Sequence, residues 1–288
     1  MGQGYQRRDF NIIDYELYQL PGLDRPLRGP DPGPLVPGGY AVALGAAQTF
    51  GCYCPVPYPR YLQIALGMPV VNFGVAGAGP SFFLQDPAYL EVINQARFVI
   101  VQVMSGRSES NSLFSSPGGE MLTRRADGVT QGAEPMYREL LQRHPPEEVA
   151  EVVRETRANW LGHCHALLDA IRVPVVLLWM SRRTPDYEEA YGSVAALFGD
   201  FPQLVNRPMF EALKARVPDV VESVCGAGMP QPFINRFTGE PAEIVMRADL
   251  GGRVKRINNY YPSPEMQLHA AQQLLPVCTR LKAAGAPA

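Results

Sequence analysis

Five short apolar runs, bounded by turn residues, set what this chain can fold into. They are Tyr40–Leu44, Pro69–Phe73, Arg97–Met104, Pro174–Trp179 and Asp219–Val224. Runs this short and this continuous read as buried strands. Helical segments fall between them. Tyr58–Leu66 is stopped by Gly67, and Leu84–Ala96 carries Leu90 and Ile93 at helical spacing. In Glu147–Ile171, Val149, Val152, Val153, Trp160, Leu161 and Leu168 recur near the 3.6 period. A last helix begins at Ser263-Pro264-Glu265, with Ser as N-cap and Pro at the first helical position. Its expected buried stripe is Leu268, Ala271, Leu275 and Cys278. Strands alternating with helices imply a parallel sheet covered on both faces. The expected architecture is α/β: a flavodoxin-like three-layer sandwich of about five parallel strands, with loop insertions.

The remaining segments are rich in turn residues. The chain has 28 prolines in 288 residues, about twice the usual share, so long ordered loops are expected. Residues 1–39, with Pro30, Pro32, Pro34 and Pro37, read as an arm packed on a single domain spanning 40–288. Ser105–Pro135 is too polar and Gly-rich for a regular element, and Ser181–Pro208 is a second insertion. Both are long enough to act as lids.

Charge and motif content exclude several functions. With 26 basic and 28 acidic side chains the formal charge is -2, so no nucleic-acid partner is expected. No apolar run reaches the ~18 residues of a membrane span, and the polar start lacks the core of a signal peptide. A cytoplasmic setting with reduced thiols is the expectation. Cys52-x-Cys54 and His163-Cys164-His165 do not form spaced ligand pairs, and adjacent helical residues point apart, so no metal is expected. Gly74, Gly77 and Gly79 do not fit the dinucleotide fingerprint, and no phosphate loop is present, so no cofactor is expected. A small-molecule substrate or ligand is the expected partner, with a homo-oligomer left open.

In such a sheet, ligands bind beyond the carboxyl ends of the strands, where the strand order reverses. The loops to examine are Gly45–Thr49, Asn72–Pro80, Ser105–Asn111, Ser181–Asp186 and the segment after Val224. Leu44-Gly45-Ala46-Ala47-Gln48-Thr49-Phe50-Gly51 and Asn72-Phe73-Gly74-Val75-Ala76-Gly77 resemble the G-D-S-x-T and N-x-G-x-x-G motifs of the SGNH, or GDSL, hydrolases. Ser105–Asn111 sits where that superfamily carries G-x-N-D, and Asn258–Ser263 where it carries D-x-x-H-P. A narrower SGNH-like group is similar in its arm, Arg28-Gly29-Pro30, and in Gly45–Gly51, Pro57-Tyr58-Pro59, Asn72-Phe73-Gly74 and Val101–Met104. The resemblance implies an ester-hydrolase fold and a Ser-His-Asp site.

The triad positions depart from that pattern. Ala47 stands where the superfamily has its nucleophile, Asn258 where it has Asp, and Tyr261 where it has His. Ala has no nucleophile, neutral Asn cannot stabilise an imidazolium, and Tyr, with a pKa near ~10, is a poor base at neutral pH. The first expectation is therefore altered chemistry, hydrolysis or group transfer, on an ester-bearing or anionic small molecule, including a carbohydrate. Gln48, Asn72 and Tyr261 are its candidate catalytic residues, and Ala47, Gly74, Gly77, Ser105, Arg107, Ser108, Arg182 and Arg183 line the substrate. Asn72 and Gly74 would supply oxyanion-type donors. The arginines would clamp an anion, or else be solvated loop residues paired with acids. Ser181 is another hydroxyl, and His269, two turns into the last helix, reads as a helix-surface residue. The alternatives are an inactive binding protein that keeps the cleft, and a scaffold using the aromatic insertion Tyr187–Phe201.

Overall fold

The computed structural model describes residues 2–246 and 252–284. Its main sheet contains β1 (Ala41–Gly45), β2 (Val70–Gly74), β3 (Val99–Gln102), β4 (Val175–Ser181) and β5 (Asp219–Val224), ordered β2-β1-β3-β4-β5 and all parallel. That is the flavodoxin-like order, and it reverses between β1 and β3. The helices begin with α1 (Gly2–Asp9), α2 (Ala47–Phe50), α3 (Tyr58–Leu66), α4 (Pro80–Gln85) and α5 (Pro87–Asn94). They continue with α6 (Ala133–Arg143), α7 (Pro146–Ala170), α8 (Val194–Phe198), α9 (Arg207–Lys214) and α10 (Pro264–Ala283).

Strand alternation separates two cores. Val42, Leu44, Val71, Phe73, Val99 and Val101 face Tyr89, Ile93 and Leu167 of α5 and α7. Ala41, Ala43, Val70, Ile100, Val176 and Leu178 face Tyr58 and Leu62 of α3 and Ala270 and Leu274 of α10. The result is the expected three-layer sandwich. No helix among the described residues is long and apolar enough to cross a membrane.

Several expectations are corrected. Leu84–Ala96 is two helices, because Pro87 forces Asp86 out of the helical region and Asp86 then caps α5 through the Ala88 N–H. Ser105–Pro135 holds an antiparallel meander of Phe114–Ser115, Met121–Arg124 and Thr130–Gly132. Its strands are two to four residues long, too short for periodicity to register. The stripe of α10 is rotated: Leu268 is 38% exposed, while Gln267, Ala270, Ala271, Leu274, Cys278 and Leu281 are buried. A polar residue therefore sits inside the stripe. The Ser263 cap, by contrast, forms as expected, its hydroxyl accepting from the Met266 N–H.

The arm begins with a helix, α1, where the sequence reading had only a polar start. Further along it, Arg28 is 3% exposed. Its guanidinium donates to the carbonyls of Asp14, Cys54 and Pro55 and lies 4.8 Å over the Tyr15 ring. A Cβ at the following Gly29 would lie 1.9 Å from the Glu16 carbonyl oxygen. The Arg28-Gly29-Pro30 motif thus fastens the arm to the segment after α2.

Gln267 ties α10 to the carboxyl edge of the sheet. Its Oε1 accepts from the Tyr58 N–H at 2.8 Å and its Nε2 donates to the Gln48 carbonyl at 2.9 Å. Both partners are backbone groups in buried surroundings. Gln267→Leu keeps the volume and leaves both unpaired, so it should lower unfolding free energy by about 2 kcal/mol or more. Urea titration of the two proteins measures this, and an unchanged midpoint would contradict the role assigned to Gln267.

Candidate functional site

The turn after β1 is built around a close approach. Gln102, the last residue of β3, accepts at Oε1 from the Ala46 N–H at 3.2 Å and from the Thr49 hydroxyl at 2.7 Å. A Cβ at Gly45 would lie 2.4 Å from that oxygen and 2.3 Å from Thr49 Oγ1. Only glycine lets β1 end there. Asn72 closes the other side. Its Nδ2 donates to the Thr49 carbonyl at 2.9 Å, and its Oδ1 accepts from the Gly74 N–H at 2.8 Å. The Gly74 N–H is therefore taken, and Asn72, 4% exposed, spends both ends of its amide inside the fold.

Ala47 opens α2 and is 5% exposed. Its methyl lies in an apolar cluster with Phe50, Tyr53, Ala76 and Phe233, flanked by Tyr5 and Tyr261. The Tyr261 ring stands edge-on to Tyr53 and Tyr260. Burial, then neighbouring Tyr5, pushes its phenol well above the ordinary value, so it keeps its proton at neutral pH. Asn258 organises the turn beneath it, accepting from the Tyr260 and Tyr261 N–H groups and donating to the Tyr261 carbonyl and Gln231 Oε1. The positions that the resemblance aligns with Ser, Asp and His are thus an apolar filler, a turn former and a packed phenol.

The open space lies beside them. A cavity of about 320 Å³ sits at the carboxyl ends of the strands. Gln48 enters from the β1 turn, Met180, Ser181 and Arg182 from β4, and Pro262 and Met266 from the start of α10. Glu134 and Arg138 of α6 form one wall, and Phe198, Phe201 and Gln203 of the second insertion form another, with Tyr260 beside them. Gln48 and Gln203 are 2% and 4% exposed. Gln203 Nε2 donates to the Tyr260 hydroxyl at 2.8 Å, while the side-chain oxygens of both glutamines have no partner among the described residues.

Of the candidate residues, only Gln48, Ser181 and Arg182 line this cavity. Arg107 stands behind the wall, paired with Glu134 at 3.2 Å and 5.9 Å over the Tyr260 ring. Arg182 is paired with Asp200. Gly77 meets the meander, where a Cβ would lie 2.5 Å from Glu120 Cβ. Ser108 donates to the Glu120 carbonyl, Ser105 accepts from the Arg107 N–H, and the Ser181 hydroxyl donates to the Phe201 carbonyl. His269 is not a plain surface residue: its Nδ1 bonds the Ser223 hydroxyl at 2.8 Å. Ser223 is 1% exposed on β5, so no substrate reaches that hydroxyl. Among the described residues no three His, Cys, Asp or Glu side chains are placed to hold a metal ion.

Glu134, Arg138, Gln203 and Tyr260 were not singled out in the sequence, and Phe198 was noted only as part of the aromatic insertion. Glu134 and Arg138 sit on α6, a helix the sequence reading did not expect, and the others on an insertion or a turn whose path no periodicity records. The aromatic run Tyr187–Phe201 and the reversal rule for parallel sheets were the available signals.

Arg183 is a structural staple rather than a ligand clamp. Its guanidinium donates to the carbonyls of Asp200, Thr184, Pro202 and Val205 and lies between the rings of Trp179 and Tyr187. Burial pulls its pKa down to about 10. Lysine cannot reproduce this planar fork. Arg183→Lys should therefore destabilise the protein by about 1–3 kcal/mol, through carbonyls left unpaired. Thermal and urea unfolding read the effect, and full retention of stability would contradict the assignment.

Comparison with known proteins places the chain as follows. No curated relative matches the sequence. Among solved structures, a lipase from a goat rumen metagenome aligns with TM-score 0.41 and 16% identity, over 85% of this chain and 97% of that one. A carbohydrate esterase family 2 enzyme with a carbohydrate binding domain, from Corynascus thermopiles, aligns with TM-score 0.41 and 10% identity, over 88% and 69%. A G-D-S-L family protein from Desulfitobacterium hafniense DCB-2 aligns with TM-score 0.40 and 12% identity, over 82% and 99%. At these scores none of the likenesses carries weight for function, and the fold rests on the strand order itself. The sequence matches the family described as a domain of unknown function (DUF6473) over residues 4–130 and 133–281, so the chain belongs to that family.

Proposed function

We propose that this member of the DUF6473 family binds a small anionic molecule in the cavity at the carboxyl edge of its sheet, without a serine nucleophile. The observation that carries this reading is the cavity itself. It opens at the carboxyl ends of the strands, between the β1 turn and the end of β4, the edge where ligands of such sheets bind. Arg138 and Arg182 stand on its walls with Glu134 and Asp200, which are paired to Arg107 and Arg182. Ala47, which the resemblance aligns with the nucleophile, is packed among aromatic rings. Asn72 and Gly74 lie outside the lining of this cavity, and the Gly74 N–H is bonded to Asn72 Oδ1.

A second reading keeps catalysis. Glu134 lines the cavity as a carboxylate held by Arg107, an arrangement suited to a general base acting on a water or hydroxyl. This is the altered chemistry, hydrolysis or group transfer on an ester-bearing molecule, that the sequence suggests. New product in a mass-spectrometric ligand screen, lost in Glu134→Gln, favours the enzyme; binding without product favours the binder.

Two outcomes test the first reading. p-Nitrophenyl butyrate should not be hydrolysed by the protein, nor by Ala47→Ser, because a hydroxyl placed there meets no base. Rapid turnover by either protein contradicts it. Calorimetric titration with carboxylates of six-membered rings, cyclohexanecarboxylate and the uronates, should show binding that Arg138→Ala weakens at least fivefold. Absence of binding by every carboxylate would end this reading.

A further inference from the structure

Three side-chain amides meet the carboxyl edge of the sheet, and they are in different states. Gln102 Oε1 is saturated by the Ala46 N–H and the Thr49 hydroxyl, while its Nε2, away from the cavity lining, has no partner among the described residues. Gln267 uses both ends of its amide on backbone groups. Gln48, between them, lines the cavity: its main-chain carbonyl is bonded to Gln267, but its side-chain oxygen is buried with no partner among the described residues. Gln203 across the cavity repeats the pattern, one end of its amide on Tyr260 and its oxygen unpartnered. Buried polar atoms are ordinarily bonded, and here two unpartnered oxygens belong to side chains that line the same cavity, which makes them candidates for completion by a ligand.

We infer that Gln48 and Gln203 recognise a polyhydroxylated ligand, of the sugar-acid class, by accepting hydrogen bonds from its hydroxyls; this rests on the binding site of the preceding section. The chemistry of the amide selects the class. A hydroxyl both donates and accepts, so it satisfies a glutamine in either orientation of its amide, whereas a carboxylate only accepts and an ammonium only donates. The remaining lining suits a ring with polar edges and apolar faces. Phe198, Phe201 and Met266 supply apolar surface, and Tyr260, bonded to Gln203, presents an aromatic body with a polar tip. The carboxylate of such a ligand is directed to Arg138, and its hydroxyls to the two glutamines. Gln48 is thereby a specificity residue: it distinguishes a hydroxylated ring from a bare one of the same charge.

The test compares ligands that differ in hydroxyls alone as far as ring size and charge allow. Full-length protein is titrated calorimetrically with D-glucuronate, D-galacturonate and D-mannuronate, and with cyclohexanecarboxylate. The tightest uronate should bind at least fivefold more tightly than cyclohexanecarboxylate. Gln48→Leu should remove that preference by weakening the uronate at least fivefold, while binding of cyclohexanecarboxylate holds or improves. The melting temperature of the unliganded variant should be unchanged or higher, since an apolar side chain replaces an unsatisfied polar one. Gln48→Met repeats the measurement with an unbranched side chain should the leucine variant fold poorly.

A smaller loss of the uronate in the variants overturns the inference. So does a fall of several degrees in the melting temperature of both unliganded variants, which would make Gln48 a structural brace. Equal binding of cyclohexanecarboxylate and the uronates by the unmodified protein overturns the hydroxyl class while leaving the anion-binding cavity intact. If no carboxylate binds at all, the cavity reading and this inference fall together.

Discussion

The four-residue helix after β1 is held on three sides by side-chain amides, and the site depends on that grip. Gln102 fixes its start, Asn72 draws in the Thr49 carbonyl, and Gln267 holds the Gln48 carbonyl. These amides are neutral and buried, and all but the Gln102 Nε2 group are bonded among the described residues, so they fix geometry without presenting a reactive group. The same grip determines what each neighbour does. Ala47 is turned into apolar packing, and Gln48 is turned toward the cavity.

The division of labour among arginines follows from their surroundings. Arg28 and Arg183 are enclosed by backbone carbonyls and aromatic rings, and each fastens an irregular segment to the sheet. Arg107 is held behind the cavity wall by Glu134. Arg138 and Arg182 reach the cavity itself. Sequence position alone ranked Arg107, Arg182 and Arg183 together, because all three follow strands; carbonyl bonding is what separates the staple from the lining.

What could be read from the chain was the layered architecture. Every strand run forms a strand within a few residues of its expected position, since apolar continuity and turn boundaries are local signals. The meander inside Ser105–Pro135 was hidden because two-to-four-residue strands are stabilised by pairing with distant neighbours, not by their own pattern. The face of α10 was misread because Gln267 is polar yet buried, a choice governed by backbone groups 209 and 219 positions away. In the site, Gln48 was legible from its place in the β1 turn. Gln203 was not, because an insertion brings it there, and Arg138 was not, because it sits on α6, a helix the sequence reading did not expect. The triad departures were visible as residues, but the bonds that consume Asn72 and Gly74 were not.

The central claim is that this edge of the sheet carries no activated serine and recognises its ligand through side-chain amides. The most direct measurement is the intact mass of the protein after incubation with a fluorophosphonate, a reagent that forms a covalent bond with an activated serine hydroxyl. The account predicts an unmodified mass, because Ser105, Ser108 and Ser181 lack a base among the bonds they make and Ser223, though bonded to His269, is sealed on β5. A single stoichiometric adduct on any of these serines would contradict it.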